Sequence, residues 1–434
     1  MTAPRRLLLA RAQRFLGSAE FTSILSTLIC GVLFASYAIE RLIGTPGFAA
    51  MIGTLVLAAI ASAVSRREEI EWNQTFPLTL VAFMAWCIIS LSWASRTGAT
   101  WSSLSFQVAV AILGLYIGTF RDLIQIVRSL GDAFRALLTV ALGLELLSGI
   151  LIDTPLTFLG IQGNLGAGGP VQGIFGSRNL LAFVAVIALI TFVTEWRTRS
   201  VPPGLSLYSG VIALTLLFFT RSPIQLAITL CVILALGALL LVRRQPAASK
   251  GTWQIGMFAL AALVGLLLWS VRNALVFQLR ATRDLEARIS LWRSVWDTAR
   301  QQPLEGWGWV GAWPNGTQPY FAINFDDGTK HQSALNAFAD LYLQLGIVGL
   351  VLFTLLLMLA LVRSTLVATN KRSDVYLWPA LILIVLALTS LVESTALTGP
   401  GWFMLVVAAA ISSRQMSWRN RLRPTPIEVS PGRL

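Results

Sequence analysis

Charge, histidine and cysteine are all scarce in this sequence. Lys, Arg, Asp and Glu make up 12% of its 434 residues, against roughly a quarter in average soluble domains. A shortage on that scale excludes an ordinary soluble enzyme. A hydrophobic fraction of 56% and a mean hydropathy of +0.72 point the same way. Acidic residues are scarcer than basic ones, 20 against 33, for a formal net charge of +13. In a soluble chain that balance would suggest nucleic acid. In a membrane chain the enrichment of Lys and Arg in cytoplasmic loops accounts for it, so no nucleic-acid partner is expected. Cys30, Cys87 and Cys231 each lie inside an apolar run without paired spacing. That excludes a disulfide framework and a zinc site. Strand-like alternation is also missing.

What the sequence has in abundance is apolar runs of about twenty residues, each long enough to cross roughly 30 Å of hydrocarbon as a helix. Without strand alternation, spanning segments must be helices. The reading is therefore an all-α polytopic membrane protein, with the lipid bilayer as its surroundings. Spans are expected at about 21–39, 46–64, 76–93, 101–120, 134–152, 174–194, 204–220, 223–242, 253–271, 337–362, 375–392 and 400–413, or about twelve transmembrane helices. Lys and Arg recur in alternate loops, as the charge rule requires if the N-terminus is inside. This divides the chain into a cytoplasmic basic arm (1–20), helices 1–9 (21–271), a large extracytoplasmic loop (272–336), helices 10–12 (337–413) and a cytoplasmic tail (414–434). The N-terminal MTAPRRLLLARAQRFLG reads as an arm and not as a removed signal peptide.

The loop at 272–336 is far longer than a helix pair needs, and too aromatic for disorder. Within it, Leu285, Ile289, Trp292, Trp296 and Ala299 recur at helical spacing. An amphipathic helix lying on the outer surface is expected there.

Ionisable residues on the outer side run against the charge rule and so need explaining. Arg178, in GPVQGIFGSRNLLAF, follows a glycine-rich loop at a helix start. Backbone amides and a guanidinium at such a place make an anion site, with a snorkelling arginine as the plain alternative. Arg221 lies on a tight turn in FFTRSPIQLA, where an interfacial anchor is the plain alternative. Arg288 lies in ARISLW on the surface helix and looks like its solvated neighbours. His331, the one histidine, precedes a span. A neutral imidazole takes a proton from a hydroxyl, although a lone histidine is more often structural. Ser333, Asn336, Asp340 and Gln344 follow on one side of the tenth span and must face protein or a wet cavity. Asp340 is read as orienting a neighbour. Glu393, in LVESTALTGPGW, either joins the site or is an exposed rim carboxylate, and Glu145 is a buried acid of open purpose. Several arginines with one neutral base suit an anionic, lipid-borne substrate reacting with a hydroxyl, since arginine clamps two pyrophosphate oxygens at once.

In this order, GIFGSRNLLAF, FFTRSPIQLA, ARISLWRSVWDTARQQPLEGWGWVGAW and KHQSALNAFADLYLQLGIVGLVLF resemble the O-antigen ligase and polymerase superfamily of bacterial envelope glycosyltransferases, over about residues 170–365. The resemblance implies a glycosyltransferase-C-like fold in the bacterial cytoplasmic membrane with the active site extracytoplasmic; the charge alternation puts both termini in the cytoplasm. It implies an undecaprenyl-pyrophosphate-linked glycan as donor, a glycan or glycolipid acceptor, no cofactor and no metal. Arg221 and Arg288 would hold pyrophosphate, joined by Arg178, and His331 would be the base. On the reading of the residues themselves, Asn336, Asp340 and Glu393 would support them. Relatives often have asparagine close behind the histidine, whereas here Asn336 comes five residues later.

Two other readings remain open on sequence. A metal-dependent lipid-linked glycosyltransferase would need acidic residues in the first outer loop, which holds only Glu40 beside Arg41; Asp326 and Asp327 read as a turn. A lipid-glycan flippase or transporter would place charges near the midplane in repeated halves, and no internal repeat is found.

Overall fold

The computed structural model describes residues 13–69, 77–270, 283–314, 316–327 and 330–416. Most of the expected arm, all but the first three residues of the expected tail and the start of the long loop therefore lie outside the described residues, as do the side chains of Leu285, Asp326 and Asp327. The described residues form fourteen α-helices and no strand: α1 (Ala19–Phe34), α2 (Ser36–Ser65), α3 (Leu78–Ile89), α4 (Thr97–Phe120), α5 (Leu123–Leu146), α6 (Arg178–Arg197), α7 (Pro203–Phe219), α8 (Pro223–Arg244), α9 (Ala247–Ser270), α10 (Arg283–Ala299), α11 (Tyr320–Asp327), α12 (Ala337–Asn370), α13 (Leu377–Ser390) and α14 (Gly399–Gln415).

Seven of these segments are long and apolar enough to cross a bilayer: α2, α4, α5 with its extension to Leu151, α6, α8, α9 and α12. Four more, around α1, α3, α7 and α13, are apolar but shorter. The expected count of about twelve spans thus rests on a core of seven that meet the length on their own.

At the centre, α6 and α14 are buried along nearly their whole length. The α14 helix packs on α4 where the latter carries glycine. A Cβ on Gly114 would sit 2.8 Å from Val406, and one on Gly118 would sit 2.7 Å from Ala410. Small residues let two helix backbones approach, the usual basis of packing in lipid.

Several helices depart from the expected boundaries; α2 begins at Ser36, ten residues early, and takes in Glu40 and Arg41, which were expected in an outer loop, ahead of its break at Gly44. Two further cases show why. The sequence places 123–133 in a charged loop, but α5 already begins at Leu123. Asp122 and Gln125 form a capping box there, which satisfies amides that would otherwise be orphaned. The charges that suggested a loop are absorbed by packing, because Arg135 pairs with Glu195 at 2.7 Å and with Asp132 at 2.6 Å. The second case is α12, which is broken at Gly346 (φ 64°, ψ −165°). A helix break in an apolar setting strands carbonyl oxygens that need other donors. The segment after Pro303 supplies them: Trp307 N donates to Leu343 O (3.0 Å) and Gly308 N to Gln344 O (2.8 Å). The indole of Trp86 donates to Leu345 O (3.0 Å), and Ile347 N turns back to Pro303 O (2.9 Å). The Leu-Gly-Ile-Val-Gly stretch is therefore a socket for the 303–308 segment.

Gly346 has no room for a side chain. A Cβ there would lie 2.1 Å from Leu304 O, in a left-handed conformation that L-residues avoid. Gly346→Ala is expected to cost on the order of 3 kcal/mol, read as a lowered Tm of the detergent-solubilised protein. An unchanged Tm would show that the socket is not rigid.

The starts of α6, α8 and α12 lie at one end of the bundle, the site end. The opposite end holds Arg66, Arg121, Arg197, Arg243 and Arg414; Arg197 and Arg243 share Asp374 at 2.7 Å each, and Arg414 caps Thr119 O and Arg121 O. These are basic residues that the charge pattern assigns to one side.

Candidate functional site

Four helices bring polar groups together at the site end. Arg288, on α10, donates from Nη2 to Glu393 Oε1 at 2.9 Å and from Nη1 to Val392 O. Asn179, in the first turn of α6, donates from Nδ2 to the same Glu393 oxygen at 2.9 Å. Its Oδ1 accepts from Ser222 Oγ at 3.0 Å. Ser222 is the N-cap of α8, followed by Pro223 in the first turn, a pairing that starts helices because proline needs no amide partner there. Asn336 caps α12 through Phe338 N and Ala339 N and donates from Nδ2 to Leu391 O at 2.9 Å. One short turn, 391–393, is thus gripped from α10, α6 and α12 at once.

The remaining candidates surround this knot. Arg221 immediately precedes Ser222 and has a left-handed backbone (φ 47°). Such strain in a non-glycine residue costs about 1–3 kcal/mol and persists where the surroundings over-determine it. Its guanidinium lies against the glycine-rich loop, where a Cβ on Gly168 would sit 2.6 Å from Nη2. Arg178 is the first residue of α6, beside Asn179 and just after the Ser177 cap. Glu145, whose purpose the sequence leaves open, accepts from Gln172 N (3.0 Å) and Gly173 N (2.8 Å). It thereby fixes the loop that delivers Arg178 and Asn179.

His331 is half-buried in a segment pinned at several points. Asn324 of α11 accepts from His331 N (3.0 Å) and donates to His331 O (3.1 Å). Trp313 N donates to Gln332 O (2.8 Å), and the Trp292 indole donates to Ala334 O (2.8 Å). Trp292 is one helical turn along α10 from Arg288, so the histidine segment and the arginine hang on the same helix. Asp340 accepts from the Trp313 indole (2.7 Å), Ala334 N (3.1 Å) and Gln344 Nε2 (3.1 Å). Gln344 holds Val310 N and Gly311 N at 2.8 and 2.9 Å. The polar stripe of α12 therefore faces protein and ties the loop down. Tyr320 packs on Trp313 with ring centroids 5.2 Å apart. Burial, with Asp340 adding to it, pushes its phenol well above the usual tyrosine range, so it stays neutral at any working pH.

The helix expected on the surface exists as α10, but its inward stripe differs. Leu291, Val295 and Ala299 are the buried residues, packed with Val310, Trp313, Tyr320, Ile323 and Leu343. Trp296 remains 44% exposed and stacks on Tyr342 at 4.9 Å. The helix docks on α11 and α12, which turns the predicted stripe by about one residue.

Among the described residues no three His, Cys, Asp or Glu side chains cluster as a metal site would need. A groove of about 540 Å³ lined by Trp196, Arg197, Arg199, Val201, Pro203 and Asp374 lies at the other end of α6. At 1.5 Å per residue that is about 30 Å from Arg178, so it belongs to a different place.

Fold and site together define an all-helical, multi-pass membrane protein with a cluster of arginine, asparagine and carboxylate side chains where a long loop meets its bundle. Residues 208–354 match the model of the family described as O-antigen ligase, which supports the resemblance to the O-antigen ligase and polymerase superfamily. The match supports a ligase- or polymerase-like glycosyltransferase activity. It covers Arg221, Arg288, His331, Asn336 and Asp340 and stops before Glu393; Arg178 and Asn179 lie ahead of it. No curated protein matches the chain.

Proposed function

We propose that this protein transfers a saccharide or glycan chain from undecaprenyl pyrophosphate to an acceptor hydroxyl at the extracytoplasmic membrane face. The fold class is glycosyltransferase-C-like and the location the bacterial cytoplasmic membrane. The observation that carries this reading is the company Arg288 keeps. The arginine that motif order aligns with a pyrophosphate ligand is tied to Glu393, and through it to Asn179 and Ser222, next to Arg178 and Arg221.

In the proposed reaction the acceptor oxygen attacks the anomeric carbon of the donor sugar, and the bond from that carbon to the pyrophosphate oxygen breaks. His331 takes the hydroxyl proton. Undecaprenyl pyrophosphate leaves as an anion, its developing charge stabilised by the guanidinium groups of Arg221, Arg288 and Arg178. Glu393 and Asn336 hold the Arg288 side chain and the turn behind it in place, and Asp340 holds the loop that carries His331.

The reading needs no metal. Dialysis of the purified protein against excess chelator is expected to leave transfer within about twofold of the untreated rate. Loss of transfer that returns on adding a divalent cation would favour the metal-dependent alternative. Product mapping after removing the protein from its host separates polymerase from ligase. Loss of long chains marks a polymerase, and accumulation of lipid-linked chains beside a bare acceptor marks a ligase.

A further inference from the structure

The groove of about 540 Å³ at the far end of α6 has no part in the proposed transfer. Its walls are the turn between α6 and α7 and the side chain of Asp374. That turn is firmly held. Arg199 N donates to Trp196 O (3.1 Å) and Ser200 N to Glu195 O (3.0 Å), with Arg199 in a left-handed conformation (φ 51°). The charges around the groove do not cancel. Arg197 Nε and Arg243 Nη1 each take one oxygen of Asp374 at 2.7 Å. Arg243 turns its other donors to Lys371 O and Ser373 O. Arg197 keeps both Nη groups without a hydrogen bond among the described residues, and its side chain is 45% exposed. Arg199 is exposed, and its guanidinium has no partner among the described residues.

An apolar track leads away from the groove. Pro203 lines the groove, and Leu207, Val211, Leu214 and Phe218 follow it on the same face of α7 at helical spacing, all four exposed. From Pro203 to Phe218 the track runs about 22 Å, more than the roughly 15 Å of hydrocarbon in one leaflet. Trp196, in the groove wall, is exposed, as is Val193 one turn earlier on α6. Tryptophan is enriched where head groups give way to hydrocarbon.

We propose that this groove binds the phosphate of an anionic phospholipid, with Arg197 and Arg199 at the head group and an acyl chain laid along α7. Two guanidiniums beside a carboxylate that is already neutralised attract phosphate oxygens. A soluble phosphate would account for the arginines but not for the exposed track that starts at Pro203. A zwitterionic lipid would bring its own cation to a groove with positive charge in excess. The groove lies at the opposite end of α6 from Arg178, so the inference stands apart from the transfer reading.

The test places the full protein in phosphatidylcholine vesicles with a trace of photoactivatable phosphatidylglycerol and maps the adducts by mass spectrometry. Wild type is expected to carry adducts between about residues 193 and 218. Photoactivatable phosphatidylcholine at the same level is expected to label that stretch at least about fivefold less, the scale of one basic residue acting on an anionic lipid. Arg199→Asn removes the charge, and asparagine accepts the left-handed backbone, so Tm is expected to hold while labelling by phosphatidylglycerol falls about fivefold. Arg199→Lys is expected to keep most of it. Equal labelling of wild type by the two lipids overturns the proposal, and this comparison needs no variant to fold. Wild-type labelling in a folded Arg199→Asn protein overturns it too. Inorganic phosphate at millimolar concentration is expected to leave the adducts unchanged; if it abolishes them, the groove is a site for soluble phosphate and the lipid assignment fails.

Discussion

Arg288→Ala is expected to lower the transfer rate by about two to three orders of magnitude, the usual effect of deleting one preorganised charge stabiliser from an active site. The arginine has two tasks. It is proposed to face the pyrophosphate, and it binds Glu393 and Val392 O. Alanine removes both and leaves the Glu393 carboxylate bonded to Asn179 alone among its charged and amide partners here. Arg288→Lys separates the tasks. Lysine keeps the charge but lacks the planar fork that spans two acceptors, so it is expected to recover only a small part of the rate. Full recovery with lysine would mean that charge near the turn is enough and that two-point binding is not used. Kinetics in vesicles, with Tm measured alongside, provide the check.

His331→Ala is expected to lower kcat by about 10²–10⁴, the range for loss of a positioned general base, with little change in donor KM. The fold gives a reason to trust this variant. Asn324 holds the backbone N–H and carbonyl of residue 331, and alanine keeps both bonds. Neighbouring anchors at Gln332 and Ala334 also act through the backbone. Near-normal Tm with lost turnover is therefore the expected pair of results. Normal transfer by a well-folded His331→Ala protein would remove His331 from the mechanism.

The helices were legible because lipid imposes a simple rule: long apolar runs must be helical, and each expected span contains a helix. Their ends were less legible, for physical reasons. Arg128 and Asp132 looked like a loop because sequence shows charge but not the Glu195 carboxylate, which pairs with Arg135 a turn further on. The break at Gly346 was hidden because α12 stays apolar across it, and its donors come from residues some forty positions upstream. Of the candidate residues, Arg178, Arg221 and Glu393 stood out on sequence because charge expected at an outer rim is unusual, Asn336 by its place on the polar stripe of the tenth span, and Arg288 only through the resemblance; the structure brings Arg288 and Asn336 onto the turn that carries Glu393. Ser222 was missed although Ser-Pro before an apolar run is a recognisable helix start. Glu145 was seen, but its role in fixing Gln172 and Gly173 depends on a contact across the chain.

The most direct trial uses the purified protein in vesicles with a defined polyprenyl-pyrophosphate-linked saccharide, a saccharide acceptor and mass spectrometry of the products. A new glycosidic bond in the acceptor, formed in step with free polyprenyl pyrophosphate, is the predicted result. Donor that crosses the vesicle membrane intact, with no lengthened acceptor at any time, would contradict the account and identify a carrier in place of a transferase.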